Sequence, residues 1–448
     1  MSAAVIASIL CLIILLRAIR NLYNLLRSLR WLSSNSLSRQ KEDAGTRFII
    51  CIPALNEQNT IEATLDKFLD QEYPRSLYSV YVVTTSRERR NAARPSTAEV
   101  VEAYRGRLSK EKAKLINVVN YPKRDGRMAH QINYLAQRLT SSLTRENVYF
   151  VIYNADSHIL PNTLSRTDAQ IALAKKRTGR YPGLLQQSAL YQYQGRDRIA
   201  EGAGLHQTLW TLMHEVPKIR SQSSGLERLG DSRRRLSILL YSRIAHCVGH
   251  GLFVHGRYYL DHPFSSDILN EDLPYGLQAC AIRESILPIP SLELASTPAR
   301  LSMVYRQKSV WFNPFFEFLS FGRQLSARRL YKSKFELGYL VVQAYIPLFI
   351  WLLHSIILLG GLLFCVLAGP WYVAMWCVAI SVYWFIPAAI VTLYRRRLDN
   401  GGTNSFWSIG WGVVYVLSHS IGPIWSVMRW GRARLLHVAP DKPKTEAL

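Results

Sequence analysis

Acidic side chains are scarce in this chain of 448 residues: 31 Asp and Glu stand against 55 Lys and Arg, a formal net charge of +24. Such an excess suits nucleic acid, yet no zinc-finger spacing, RNA-binding aromatic signature or basic zipper accompanies it, so no nucleic-acid partner is expected. The basic residues flank apolar segments instead: Arg17, Arg20, Arg27 and Arg30; Arg328, Arg329, Lys332 and Lys334; Arg395–Arg397; Arg429–Arg434. Cytosolic loops and anionic lipid headgroups favour that placement. Paired cysteines are also lacking. Cys11, Cys51, Cys247, Cys280, Cys365 and Cys377 show no metal or disulfide spacing, and they read as reduced packing residues. Neither a G-x-G-x-x-G turn nor a Walker loop is present, which counts against a dehydrogenase and a P-loop ATPase.

Two regimes make up the chain. Ala3–Leu16 is apolar, and with Arg17–Leu26 it is long enough to cross a hydrocarbon core of ~30 Å. Residues 1–30 are therefore expected to form a transmembrane helix or one lying in the interface. The absence of a basic start and of a small-residue cleavage site argues against a removed signal peptide. Arginines follow the apolar run, which places the N-terminus outside and the next domain in the cytosol. Residues 339–428 form a second membrane region, with spans at Gly338–Ala368 and Trp371–Tyr394, followed by a basic tail, 429–448. The apolar segment Ser405–Met428 is interrupted by Gly410, Gly412, His419 and Gly422-Pro423. A full crossing there would put Arg429, Arg432 and Arg434 outside, so a re-entrant hairpin or a broken helix is the alternative. The expected location is the cell (plasma or inner) membrane, multi-pass, with membrane lipids as partners.

Between these regions strand and helix signals alternate. Apolar β-rich runs at 47–53, 80–84, 115–119 and 147–153 are separated by helical patterns near 60–69, 97–108 and 128–139. The pattern predicts an α/β domain with a mostly parallel, Rossmann-like sheet covered on both faces. Ligands in such sheets bind beyond the carboxyl ends of the strands. Pro53-Ala-Leu-Asn-Glu57, Thr84-Thr-Ser-Arg87 and Asn154-Ala-Asp156 all fall there, which implies a nucleotide cleft.

Four fragments in fixed order carry more. They are Phe48–Glu57, Tyr149–His158, Asn270-Glu-Asp272 and Gln307-Lys-Ser-Val-Trp311, with long apolar stretches after the last. Together they resemble the membrane-bound family 2 glycosyltransferases, the GT-A-fold synthases of cellulose, hyaluronan and poly-N-acetylglucosamine. The resemblance covers roughly residues 47–312, with interfacial helices over 313–335. It implies a metal-dependent, inverting transferase with its catalytic domain on the cytosolic face. The donor would be a nucleotide sugar, UDP-sugar favoured, with Mg2+ or Mn2+. The acceptor would be a growing polysaccharide, or alternatively a lipid glycosylated in one step. A homologue without turnover is a further alternative, and export or accessory subunits are possible partners.

The same resemblance distributes roles. Asn154-Ala-Asp156 resembles the D-x-D motif with its first Asp replaced, making Asp156 a metal ligand; a turn-forming, helix-capping Asp is the plain alternative. His158 is either a further ligand or a solvated loop histidine. Asn154 remains a hydrogen-bonding group for the donor. Asp272 inherits the general base of the T-E-D motif, with Glu271 beside the acceptor, although both also suit a helix N-terminus. Gln307–Trp311 matches Q-x-x-R-W at its ends, with Val310 where the family has Arg, so Arg306 or Lys308 is the substitute diphosphate cation. Trp311 either stacks on an acceptor sugar or anchors at the interface. Pro53, Asn56, Glu57 and Thr84 are expected against the nucleotide. Arg127, in Arg124-Asp-Gly-Arg127, is expected near the phosphates. Gly249-His250-Gly251 allows close backbone approach beside the acceptor, as a structural turn also would.

Overall fold

The computed structural model describes residues 2–36, 45–88, 95–123, 126–268, 270–398 and 406–435. Its strands are β1 (Arg47–Pro53), β2 (Tyr78–Thr85), β3 (Ile116–Tyr121), β4 (Val148–Ile152), β5 (Leu184–Gln186), β6 (Ala189–Gln192), β7 (Leu252–His255), β8 (Ile286–Pro288) and β9 (Glu293–Ser296). One sheet has the order β3-β2-β1-β4-β7-β5-β8, and β6 pairs with β9 apart from it. Strands β3, β2, β1 and β4 run parallel, β7 runs antiparallel to both β4 and β5, and β5 is parallel to β8. The fold is the expected α/β class with a mostly parallel sheet.

Burial on both faces explains the apolar strands. Phe48, Ile50 and Ile52 enter one core with Val80, Val82, Tyr149 and Val151. Ile49 and Cys51 enter the other with Phe150 and Ile152. A strand covered on both sides has no polar face to show, so its sequence reads as an apolar run. The helices Ile61–Leu69 and Thr97–Arg107 cover the first face, and Met128–Arg138 covers the second. Thr97–Arg107 begins where sequence would start it: Ser96 and Glu99 form a reciprocal capping box that satisfies two backbone donors.

An excursion between β6 and β7 has no counterpart in the sequence reading. It comprises Arg198–Trp210, a π-turn at Thr211–Glu215 and Val216–Leu229. Leu205, Leu209, Leu212 and Met213 pack against Ala7, Cys11 and Ile14 of the N-terminal helix and against Trp376, Trp384 and Ile409. Two glycines permit one crossing: a Cβ on Gly202 would stand 2.5 Å from the Cα of Gly412. Small residues let helices approach closely in this way. Part of the α/β chain thus belongs to the core of the helical region.

Among the described residues three helices are long and apolar enough to cross a membrane: Ala3–Ser34, Lys334–Ala368 and Pro370–Arg396. On the first, Val5, Ile9, Leu12, Leu16 and Ile19 are exposed at helical spacing, an apolar stripe suited to lipid. Its Cys11 Sγ lies 3.7 Å from Cys365 Sγ as an unbonded thiol. The last apolar segment is broken into Trp407–Ser418 and Ile421–Leu435. Twelve residues reach only about 18 Å, short of a crossing. Arg429 Nη2 donates to Asn313 Oδ1 at 2.8 Å, so the chain returns to the α/β side and the charge conflict disappears. The basic tail from 436 onward lies outside the described residues.

A buried ion pair joins the two regions. Arg283 follows the Asp272–Ala281 helix in a left-handed conformation, φ 61°. Its Nε and Nη2 donate to Glu336 Oε2 at 2.9 and 2.8 Å, and Nη1 and Nη2 donate to the carbonyls of Gly230 and Ser232. Glu336 is fully buried at the foot of the Lys334–Ala368 helix. Removing one member leaves a buried charge uncompensated, so Glu336→Gln should cost roughly 3–5 kcal/mol, read as a lower unfolding midpoint in neutral detergent. The double variant Arg283→Met/Glu336→Leu should recover much of that loss.

Candidate functional site

A cavity of about 2340 Å3 opens at the carboxyl ends of β1 and β4 and continues to the long apolar helices. Sheet order explains its position. The chain builds outward from β1 through β2 to β3, then crosses to place β4 on the other side of β1. The turns after β1 and β4 diverge at that switch point and leave a crevice.

The turn after β1 is held from beneath. Ala54 N donates to Val83 O at 2.9 Å, and buried Gln131 Nε2 donates to the carbonyls of Ala54 (3.0 Å) and Val83 (2.6 Å). Asn56 adopts φ 62°, which Asn tolerates better than other residues bearing a Cβ. Glu57 N donates to Thr97 Oγ1 at 3.0 Å, and Thr60 Oγ1 donates to Glu57 Oε2 at 3.0 Å. Burial raises the Glu57 carboxyl, the Thr60 bond opposes that, and Asp156 and Glu88 add to the rise. Pro53, Asn56 and Glu57 all line the cavity, as do Arg87 and the exposed Arg127.

After β4 the chain turns tightly. Asn154 N donates to Ser157 Oγ at 3.0 Å, and Ser157 N donates back to Asn154 O. Asn154 and Asp156 both face the cavity. Burial raises the Asp156 carboxyl, Glu293 raises it further, and His250 opposes both. His250 Nδ1 lies 2.8 Å from Glu293 Oε2, and both side chains are deeply buried. Burial alone would push this imidazole down, but Glu293, with Glu215 and Asp156 behind it, pushes it up to about 9. His250 is therefore a cation at neutral pH, set among three carboxylates. The Glu215 carboxyl is raised by burial, against a hydrogen bond to Ser188.

Asp272 stands at the start of the Asp272–Ala281 helix. Its Oδ2 accepts from Gly249 N and its Oδ1 from Leu273 N, each at 2.8 Å. A Cβ on Gly249 would come within 3.2 Å of that Oδ2, so a larger residue there would press on the carboxylate. Asn270 Nδ2 donates to Val310 O at 2.7 Å, tying this loop to the Leu301–Trp311 helix. Glu271, Arg306, Gln307 and Trp311 line the cavity with Asp272 and His250.

Other expected residues lie elsewhere. Thr84 is buried, donates to Asn120 Oδ1 at 3.3 Å and is not part of the cavity wall. His158 pairs through its backbone with Leu294 and also stays off the wall. Gly251 stands one residue behind the wall at φ 63°. Arg124 and Asp125 lie outside the described residues. Of the two candidate substitutes for the missing Arg, exposed Arg306 faces the cavity, whereas Lys308 is buried. The Lys308 ammonium bonds Gln207 Oε1 and sits 3.8 Å from the centroid of the Trp311 ring, covering one indole face. Among the described residues no three His, Cys, Asp or Glu side chains converge as a ready metal cage.

Sequence reasoning missed Glu215, Glu293, Lys218 and a polar stripe on the N-terminal helix. Arg17, Arg20, Asn21, Asn24 and Arg27 all line the cavity. Their i, i+3, i+4, i+7, i+10 spacing marks one helical face and was the available signal.

No protein-family model matches this chain, and no curated protein matches it. Among solved structures it is similar to the mannosyltransferase PcManGT from Pyrobaculum calidifontis in complex with GDP-Man and Mn2+: 16% identity, TM-score 0.46, 94% of this chain and 99% of that one. It is also similar to S. aureus TarS, residues 1–349, in complex with UDP-GlcNAc: 14% identity, TM-score 0.39, 88% of this chain and 93% of that one. Both are loose likenesses of fold, and the site stands on this chain's own residues.

The buried imidazolium makes stability depend on pH in a definite direction. Its pKa is raised in the folded protein, from the ordinary 6.5 to about 9, so its contribution is complete below 6.5 and is lost as pH rises through 9. The unfolding midpoint should fall across that interval, and His250→Gln should flatten the fall. An equally steep fall in the variant would assign it to other groups.

Proposed function

We propose that this chain is a membrane-integrated, inverting glycosyltransferase that moves a sugar from a nucleotide-sugar donor to an acceptor hydroxyl. One observation carries the reading: residues 53–57, 154–156 and 270–272, with Arg306, Gln307, Val310 and Trp311, far apart in sequence, line a single cavity at the switch point of the sheet. The nucleotide lies over the turns after β1 and β4, against Pro53, Asn56, Glu57 and Asn154. Arg306 and Arg127 face the diphosphate. Val310, where the resembled motif has Arg, accepts from Asn270 through its backbone carbonyl, and its side chain supplies no cation.

Asp272 is the general base. The Gly249 and Leu273 amides orient its carboxylate by hydrogen bonds, and a base needs only hydrogen-bond reach to the hydroxyl. The acceptor oxygen attacks the anomeric carbon on the face opposite the nucleotide. The bond from that carbon to the diphosphate oxygen breaks, the diphosphate keeps the electron pair, and the acceptor proton passes to Asp272. Inversion follows from this single displacement.

The residues fit a divalent cation that arrives with the diphosphate. Mg2+ is commonly held by one or two carboxylates together with substrate phosphates, and Asp156 with the amide oxygen of Asn154 offers that much. When bound, the cation neutralises charge on the departing diphosphate. The basic clusters at 17–30 and 328–334 favour a catalytic domain on the cytosolic face. A growing polysaccharide or a lipid would each reach Asp272 from the membrane side, past Trp311.

The test is nucleoside diphosphate release by the detergent-solubilised protein, given a panel of nucleotide sugars with Mn2+ or Mg2+ and candidate acceptors. Asp272→Asn should lower the transfer rate about 10²–10⁴-fold while leaving nucleoside diphosphate affinity near wild type; near-normal transfer would remove Asp272 as base. Asp156→Ala should abolish the gain in nucleotide affinity that Mn2+ supplies, measured by titration calorimetry. Cation-dependent binding with no turnover on any donor would indicate a subunit without catalysis.

A further inference from the structure

The membrane end of the cavity has a chemistry that donor binding does not use. Arg17, Arg20 and Lys218 line it, and among the described residues none of the three forms an ion pair or hydrogen bond. Lys218 lies in the excursion helix Val216–Leu229, so the cations converge from two separate elements. Burial pushes the Lys218 amine down to about 8, with Glu215 opposing and Arg20 adding. Unpaired cations held in a confined space call for an anion.

The same end of the cavity is open on its apolar side. Ile13 and Leu16 on the N-terminal helix and Ile346 on the Lys334–Ala368 helix line it, yet they are 54%, 59% and 51% exposed. These two helices meet at Cys11 and Cys365, and each presents exposed apolar side chains at the edge of the cavity. A hydrophilic polymer crossing a bilayer needs a closed wall, because hydrocarbon offers it no hydrogen bonds. An opening edged by exposed Ile and Leu side chains instead admits an acyl or isoprenoid tail.

We propose that this chamber binds a phosphate-bearing lipid, tail along the exposed apolar edge formed by Ile13, Leu16 and Ile346, phosphate against Arg17, Arg20 and Lys218, and hydroxyl-bearing headgroup toward Asp272. The lipid is then the acceptor: its hydroxyl oxygen bonds the anomeric carbon, the diphosphate leaves, and the proton goes to Asp272. That role rests on the transferase reading; the binding does not.

The experiment uses the full chain in dodecyl maltoside micelles doped with hexadecyl phosphate, with binding read from tryptophan fluorescence, since Trp351 and Trp384 line the cavity. Hexadecyl phosphate should bind, while hexadecanol and inorganic phosphate should bind at least about 10-fold more weakly. Arg17→Gln and Lys218→Gln should each weaken binding about 10-fold, the loss of one charge-assisted contact. Arg30→Gln, a helix-surface change off the cavity wall, should leave it unchanged. Three results would overturn the proposal: hexadecanol binding as well as the phosphate, inorganic phosphate binding as well as the lipid, or an acidic oligosaccharide competing more strongly than either. Donor hydrolysis measured on the same preparation separates the two readings. Hydrolysis without lipid binding sinks only the chamber, and lipid binding without donor turnover sinks only the transferase.

Discussion

Two environments that repel each other's contents have to share one cavity. The cleft gathers carboxylates, arginines and a cationic histidine, while the helices beside it present leucine, isoleucine and phenylalanine outward. Charge taken out of water costs several kcal/mol per ion unless it is paired and fully hydrogen-bonded. The Arg283–Glu336 pair meets that condition on the arginine side, with carbonyls from Gly230 and Ser232 completing the guanidinium shell. Because Arg283 follows the helix that begins at Asp272, and Glu336 opens a long apolar helix, this pair ties the end of the Asp272 helix to the foot of the helical bundle.

The same reasoning explains the interior of the site. Burial and Glu293 raise the proton affinity of both Asp156 and Glu215, and His250 is the cation that opposes the rise. Without it the three carboxylates would be buried like charges. Its neighbour Gly249 brings a backbone amide against Asp272. One short loop therefore compensates the acidic cluster and orients the carboxylate assigned to proton transfer.

Segments far apart in sequence hold each other in register. Asn270 reaches the Val310 carbonyl, Asn313 receives Ser426 and Arg429, and Lys308 is enclosed by Gln207 and the Trp311 ring. The Leu301–Trp311 helix is thus clamped between the loop at Asn270 and the broken C-terminal helices. Lys308 is put to structural use in that clamp and Val310 supplies its backbone carbonyl, which leaves Arg306 as the cavity-facing cation of the segment.

The sequence by itself determined the covered, mostly parallel sheet, because strands buried on both faces must be apolar throughout and their helices must be amphipathic. It also located the turns after β1 and β4 and the Asp272 helix start, since ligand-facing turns follow strand ends. Tertiary structure alone decided the rest. Whether Thr84, His158 or Lys308 reaches the cavity depends on side-chain direction at packed contacts, which no spacing encodes. The excursion over 198–229 reads as ordinary helix until the long apolar helices that bury it are in place. Arg17 and Arg20 read as flanking charge until the face opposite them is seen to be Lys218 and an open cavity. Local pattern records what a residue needs around it; only the packed chain determines which distant residue meets that need.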